Sequence, residues 1–172
     1  ITVKNLSMFK HSKPKQVITI ANTFLVQDRD HFSINKRNTK VFSERKPTKR
    51  EMEDLIFANK VVKYVRSNAI VIAKNKTTIG IGSGNTSRVD SVKFAIEKSK
   101  RVQLIKATKI LSGSVMASDA FFPFTDSIKL AKKSGIKSII QPGGSIKDKS
   151  IIEEANKSDI SMVFTNKRCF SH

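Results

Sequence analysis

Ser118-Asp119-Ala120-Phe121-Phe122-Pro123-Phe124 sets three phenylalanines and a proline beside one carboxylate, and a second carboxylate, Asp126, follows two residues later. Aromatic faces pack a flat ligand, and a fixed carboxylate reads the polar edge of such a ligand. An ordinary surface loop does not carry three aromatics, and a half-buried strand alternates. The segment also reads as a buried loop plugging the end of a sheet, and the residues alone leave both readings open. Two glycine corners flank it in the chain. Gly80–Arg88, GIGSGNTSR, ends an apolar run and leads into a helical pattern. Glycine permits close backbone approach, and amides at a helix start attract anions. The plain alternative is a tight turn with a solvated Arg88, since the spacing matches neither a dinucleotide fingerprint nor a Walker loop. Pro142-Gly143-Gly144-Ser145 repeats the order of strand, corner and helix, and ligands in α/β sheets sit at loops beyond strand ends. Ser67-Asn68 is either a simple helix cap or an amide that donates and accepts toward a planar carboxamide.

The elements that must position these residues follow from pattern. Gln16–Ile20 and Thr23–Gln27 read as short strands, and His31–Lys40 as a polar loop. Thr48-Lys49-Arg50-Glu51 is a capping box that opens a helix, with Met52, Leu55, Ile56, Val62 and Val65 as its apolar face running to about Arg66. Ala69–Ala73, a turn at Asn75-Lys76, and Thr78–Gly82 predict a hairpin. Val89, Val92, Ala95 and Ile96 mark the next helix, and Val102–Ser114 gives no clear signal. Thr125 or Asp126 starts a helix through Lys133 that ends at Gly135. Ile136–Gln141 is a strand, Asp148–Lys157 a helix and Ile160–Phe164 the last strand. Helices alternating with strands argue for an α/β layered domain built on a mixed sheet. We divide the chain into a lead-in segment, 1–46, and a main domain, 47–172.

Composition bounds the rest. The chain has 172 residues, 38% of them apolar, enough to bury a core. No apolar run approaches the roughly 20 residues needed to span a bilayer, so no membrane role is expected. One cysteine, Cys169, excludes an internal disulfide and suggests a reducing, cytoplasmic setting. The net charge of +19 invites a polyanion partner, but the 33 basic residues include only 8 Arg and are spread along the chain. Nucleic-acid binders concentrate charge on one face and use Arg for bidentate contacts, so a nucleic-acid partner is not expected. His11, His31 and His172 form no metal pattern with Cys169 and no nucleophile triad. The chain begins with Ile1 inside an apparently structured segment, which reads as a fragment of something longer.

Taken in order, VQDRD (26–30), the KPT…E helix start (46–51), KYVRSNAIV (63–71), GIGSGNTSRVDS (80–91), MASDAFFPFTD (116–126), IQPGGSIKD (140–148) and MVFTNKRCFSH (162–172) resemble one family. It is the bifunctional purine-synthesis family of aminoimidazole carboxamide ribonucleotide (AICAR) transformylase/IMP cyclohydrolase, in its carboxyl-terminal part. The similarity is continuous from about Leu25 and weaker before it. The resemblance implies an α/β fold of cytidine-deaminase-like type without zinc ligands, and formyl transfer from 10-formyltetrahydrofolate to the AICAR amine. It implies that Asn68 orients the reacting carboxamide–amine edge, that Arg88 and Phe121 hold the nucleotide, and that Arg168 meets it near the chain end. Val89, Asp126, Ser145 and Ile146 would border the folate, and family members are homodimers. All three corners would then wall one cavity. The resemblance does not supply the family's catalytic Lys-His pair or its cyclohydrolase domain. Lys10-His11 sits too close to Asn68 in the chain to stand in for that pair, so the chain alone is expected not to transfer formyl. A basic nucleotide- or RNA-binding remnant, or a module that only dimerises, is the competing reading.

Overall fold

The computed structural model describes residues 15–28, 30, 33–106 and 109–171, and the chain divides into two compact units, Ile1–Phe32 and Ser33–His172. In the first, β1 (Lys15–Ile20) and β2 (Thr23–Asp28) pair as an antiparallel ribbon, with Val17 opposite Val26 and Ile18 opposite Leu25. Thr23 Oγ1 donates to the Ile20 carbonyl at 2.9 Å across the turn.

The larger unit carries β3 (Lys40–Val41), α1 (Lys49–Val62), β4 (Ile70–Lys74), β5 (Thr77–Gly82), α2 (Arg88–Lys106), β6 (Val115–Ser118), α3 (Asp126–Lys133), β7 (Ser138–Gln141), α4 (Asp148–Lys157) and β8 (Ser161–Phe164). Six strands form one mixed sheet in the order β3-β8-β7-β6-β4-β5. Strands β6, β7 and β8 run parallel, whereas β4 is antiparallel to β6, β5 to β4 and β3 to β8. The expected mixed α/β sheet is therefore present.

Side-chain alternation explains the three layers. Ile70, Ile72, Met116, Ile139 and Met162 join one core cluster with Val92, Ala95, Ile128, Ala131, Ile151 and Ala155 from α2, α3 and α4. The intervening residues Val71, Ala73, Val115, Ala117, Ile140 and Val163 are equally buried. Helix α1 packs on β4, β6 and β7, bringing Leu55, Ala58 and Val62 to the sheet. The strands are apolar on both faces because both faces are covered.

Three expectations change. Helix α1 ends at Val62 rather than Arg66, because Tyr64 and Val65 donate to the Val61 and Val62 carbonyls, both at 3.0 Å, and tighten the chain into a turn. The polar stretch 33–40 contains a short 3-10 turn, Lys36–Asn38, capped by Asn35, and its last residue enters β3. His31 lies outside the described residues. Strand β6, which carried no strand signal in Val-Met-Ala-Ser, is fully buried and pairs with β4 and β7.

The glycines of β5 also have a different task from ligand approach. A Cβ on Gly80 would stand 2.1 Å from the Ala95 carbonyl oxygen, and one on Gly82 would stand 1.9 Å from that of Ser91. The close neighbour is α2 itself. Replacing Gly82 by Ala should cost about 3 kcal/mol by forcing α2 off the strand. Gly84→Ala, where φ is +68° and only Arg66 Cδ approaches at 3.8 Å, should cost about 1 kcal/mol. Equal losses in urea denaturation would refute the packing role.

A second expectation concerns Glu51, which closes the capping box on Thr48 and accepts from Arg45 Nη2 at 2.7 Å. Burial pushes its carboxyl up, but the bonds from Arg45 and the Thr48 amide outweigh this and hold it below the ordinary 4.5. A depressed carboxyl stabilises the fold above its unfolded value and loses that stabilisation as pH falls through the folded value. Glu51→Gln should therefore remove about 1 kcal/mol near neutrality and flatten the loss of stability between pH 5 and 3. Parallel acid limbs for the two proteins would refute the assignment.

Candidate functional site

The strand register puts five chain segments along one rim of the sheet: the entry to β4 and the exits of β5, β6, β7 and β8. Ile70 stands opposite both Gly82 and Ser118, and Gln141 stands beside Phe164. At the centre of this rim lies a buried ion pair. Asp119, fully buried, follows β6, and Arg88, 7% exposed, opens α2. Arg88 Nη1 donates to Asp119 Oδ1 and, at 2.9 Å, to Ser118 Oγ; Nη2 donates to Asn68 Oδ1 at 2.7 Å. Ser67 Oγ donates to the other Asp119 oxygen. Arg88 is thus an enclosed, paired cation, which overturns the solvated-turn reading.

Asn68 is held just as firmly. Its Nδ2 donates to the carbonyls of Asn85 and Thr86 at 3.0 and 3.2 Å, and Ser91 Oγ donates to its carbonyl at 2.7 Å. The Ser67–Asn68 peptide is cis. Ser87 and Asp90 cap the start of α2, the Asp90 amide donating to Ser87 Oγ at 3.2 Å and Ser87 Oγ to the Asp90 carboxylate at 2.6 Å. The Ser87 hydroxyl, and then Lys93, hold the Asp90 carboxyl below the usual carboxylate range.

The chain end folds back onto the same rim. Cys169 N donates to the Asp119 carbonyl at 3.0 Å, Ser67 N to the Ser171 carbonyl at 2.8 Å, and Ser171 N to Ser67 Oγ at 3.0 Å. These bonds place the Arg168 guanidinium 4.6 Å from the centre of the Phe121 ring, a cation–π distance.

A cavity of about 510 Å³ opens here, within the range of small-molecule sites. Asn68, Arg88, Val89, Phe121, Asp126 and Arg168 all line it, with Thr86, Ser87, Ala120, Pro123, Phe124, Ser127 and Phe170. Six of the eight residues singled out from the sequence meet at this one hollow. Ser145 and Ile146 do not line it. They occupy the adjoining corner after β7, where Ser145 Oγ accepts from Lys147 N at 3.1 Å and Ile146 is fully exposed. The expectation that all three corners share one cavity therefore holds for two of them.

The phenylalanine segment is both plug and wall. Phe122 is fully buried, its amide donating to Gln141 Oε1 at 3.0 Å, while Phe121, Pro123 and Phe124 face the cavity. Sequence reasoning noted Asp119 as a carboxylate that reads a ligand. Its oxygens are instead taken by Arg88 and Ser67, so its contribution is to hold them. Ser67 and Ser118 were named only as members of their segments and their bonds to the ion pair were not foreseen, and Phe170 was given no role, because small hydroxyls and a near-terminal aromatic carry no pattern of their own. Lys10, His11, His31 and His172 lie outside the described residues. Among those described, no three His, Cys, Asp or Glu side chains gather as metal ligands, and no helix is long and apolar enough to cross a membrane.

The sequence of the chain is similar to that of known proteins. The AICARFT/IMPCHase bienzyme family matches residues 1–98, and the chain belongs to that family. The bifunctional purine biosynthesis protein PurH of Persephonella marina is 51% identical over all 172 residues, and that of Caldicellulosiruptor saccharolyticus is 49% identical over 170. The likeness thus runs through the residues before Leu25 as well. The chain spans 32% and 31% of the length of these two relatives. Among solved structures, a diaminohydroxyphosphoribosylaminopyrimidine deaminase/5-amino-6-(5-phosphoribosylamino)uracil reductase from Thermotoga maritima overlays 64% of this chain and 34% of its own at TM-score 0.41 and 18% identity. Acinetobacter baumannii RibD overlays 67% and 34% at TM-score 0.42 and 13% identity.

Removing one member of a buried pair strands the other. Asp119→Ala should cost about 3–5 kcal/mol in denaturant unfolding, whereas the double variant Asp119→Leu, Arg88→Met should recover part of that loss. A double variant less stable than the single one would show that the pair is not the unit that matters.

Proposed function

We propose that the cavity holds AICAR and that the chain is the carboxyl-terminal portion of a formyltransferase of purine biosynthesis, taking formyl from 10-formyltetrahydrofolate. The observation that carries this reading is the meeting of Asn68, Arg88, Phe121 and Arg168 around one hollow, in a chain of this family. The ligand has a flat heterocycle, an amine beside a carboxamide, and a phosphate. Phe121 offers a face for the ring, and the Asn68–Arg88 pair offers acceptor and donor for the polar edge. Arg88 is neutralised by Asp119, so the exposed Arg168 is the cation that meets the phosphate.

The AICAR amine is a weak nucleophile because its lone pair is delocalised into the ring. In the transfer the amine nitrogen bonds to the formyl carbon, an amine proton leaves to a base, and the bond from that carbon to the folate nitrogen breaks, the folate nitrogen keeping the electron pair and taking up a proton. Orientation of the amine is the contribution of this part of the site. Val89 and Asp126 take the folate side of the cavity, and Ser145 with the exposed Ile146 borders the folate from the adjoining corner. The larger unit is then a cytidine-deaminase-like subdomain of the transformylase type without zinc, working in a soluble cytoplasmic homodimer. The base and the oxyanion-stabilising cation come from a Lys-His pair elsewhere in the family chain, so the 172-residue chain alone binds but does not turn over.

Titration calorimetry on the purified chain tests this. AICAR should bind, and Arg168→Ala should weaken it about tenfold while leaving the phosphate-free riboside unchanged. A folded chain that shows no AICAR binding refutes the reading. Turnover by the chain alone, lost in His11→Ala, would refute the assignment of the base to another segment.

A further inference from the structure

We propose that Asp119 is the positioning residue of this cavity: through Arg88 it locks the Asn68 carboxamide so that Asn68 offers the ligand only a hydrogen-bond acceptor. The ligand class this selects is a heterocycle bearing an N–H donor at that point, and the inference rests on the AICAR reading above. A primary amide ordinarily presents two donors and two acceptor lone pairs, and its two ends exchange by a simple flip. Here the surroundings forbid the flip. Nδ2 faces the Asn85 and Thr86 carbonyls at 3.0 and 3.2 Å, and Oδ1 faces the Arg88 guanidinium at 2.7 Å. Turned over, the oxygen would meet two carbonyl oxygens and the amine would meet a cation. Both amide hydrogens and one lone pair are thus engaged, and the other lone pair of Oδ1 is what remains for a ligand.

Arg88 imposes this orientation only while its own plane is fixed. Its Nη1 is held by Asp119 Oδ1 and Ser118 Oγ, and the carboxylate is held in turn by Ser67 Oγ. Asp119 is fully buried and does not line the cavity, so it reaches a ligand only through Arg88 and Asn68. In the transfer, an amine N–H donated to Oδ1 would fix the nitrogen and aim its lone pair at the formyl carbon. A nucleotide without that amine has nothing to donate there and leaves the acceptor unmatched.

The test compares AICAR with the same nucleotide lacking the exocyclic amine, by calorimetry on the full chain. Wild type should prefer AICAR by about tenfold. Asp119→Asn keeps the shape but not the charge, and should reduce that preference to about twofold while leaving affinity for the desamino nucleotide unchanged. A merely structural role would weaken both ligands alike, and that outcome overturns the proposal. Where Asp119→Asn does not fold, Arg88→Lys serves: it keeps the charge and loses the planar fork, and should erase the same preference. Retained discrimination in either variant overturns the proposal. Proton exchange at the Asn68 side-chain amide, followed by NMR without ligand, reads the lock even if neither nucleotide binds. It should be slow in wild type and at least tenfold faster in Asp119→Asn, and equal rates again overturn the proposal.

Discussion

A guanidinium and a carboxylate buried against one another hold the rim of this sheet together. Taking either charge out of water costs several kcal/mol, and the attraction between them offsets that cost only when the remaining hydrogen-bonding positions are filled. Here they are filled from several directions: Ser118 and Asn68 serve Arg88, and Ser67 serves Asp119. Ser67 and Asn68 belong to the entry of β4, Ser118 and Asp119 to the exit of β6, and Arg88 to the start of α2, so the pair fixes these three segments relative to one another. The tail joins them through Cys169 and Ser171. A cavity wall assembled from four separate pieces of chain is thereby held in one arrangement.

That arrangement separates local charge from total charge. The chain as a whole is strongly basic, and its surface lysines pair where a carboxylate is near, as Lys76 does with Glu53 at 2.9 Å and Lys137 with Asp159 at 2.9 Å. Such exposed pairs contribute little and are screened by salt. Arg88 sits in the cavity wall but carries its own counter-ion, so it serves as a shaped donor rather than as a source of attraction. Arg168 differs: it is exposed, and its guanidinium lies over the face of Phe121. Two arginines therefore contribute geometry and charge separately.

Elements with strong local signals were readable from the chain. The Thr48 capping box, the Asn75-Lys76 turn with both φ values near +50°, and the Gly135 helix stop all depend on neighbours in sequence, and each stands where its pattern put it. Strand β6 was not readable, because Val-Met-Ala-Ser has little strand propensity and becomes a strand through burial between β4 and β7. The site divided in the same way. Residues on unusual segments, such as Phe121 in its aromatic run and Arg88 after the glycines, stood out. Asp119 stood out too, but its task was unreadable, since whether a carboxylate faces a ligand or an arginine is decided by a contact across 31 positions of chain. Ser145 and Ile146 belong to a corner that resembles the one after β5 by sequence, yet the strand order sets it three strands from β5 and one strand beyond the phenylalanine segment that follows β6.

The depth at which α2 lies on the sheet links the glycines of β5 to that ion pair. With no side chain at Gly80 and Gly82, the backbone of α2 rests almost directly on the strand, near Ala95 and Ser91. Arg88 is the first residue of this helix and Ser91 is one turn further along. Any side chain on Gly82 would lift the helix at Ser91 and carry Arg88 with it, stretching a contact that tolerates only tenths of an ångström. The absence of a methyl group on the outer strand of the sheet therefore sets where the guanidinium reaches Asp119, and through Asn68 it sets what the cavity offers a ligand. The glycines act at a distance from the ligand, by deciding how close a helix comes to a strand.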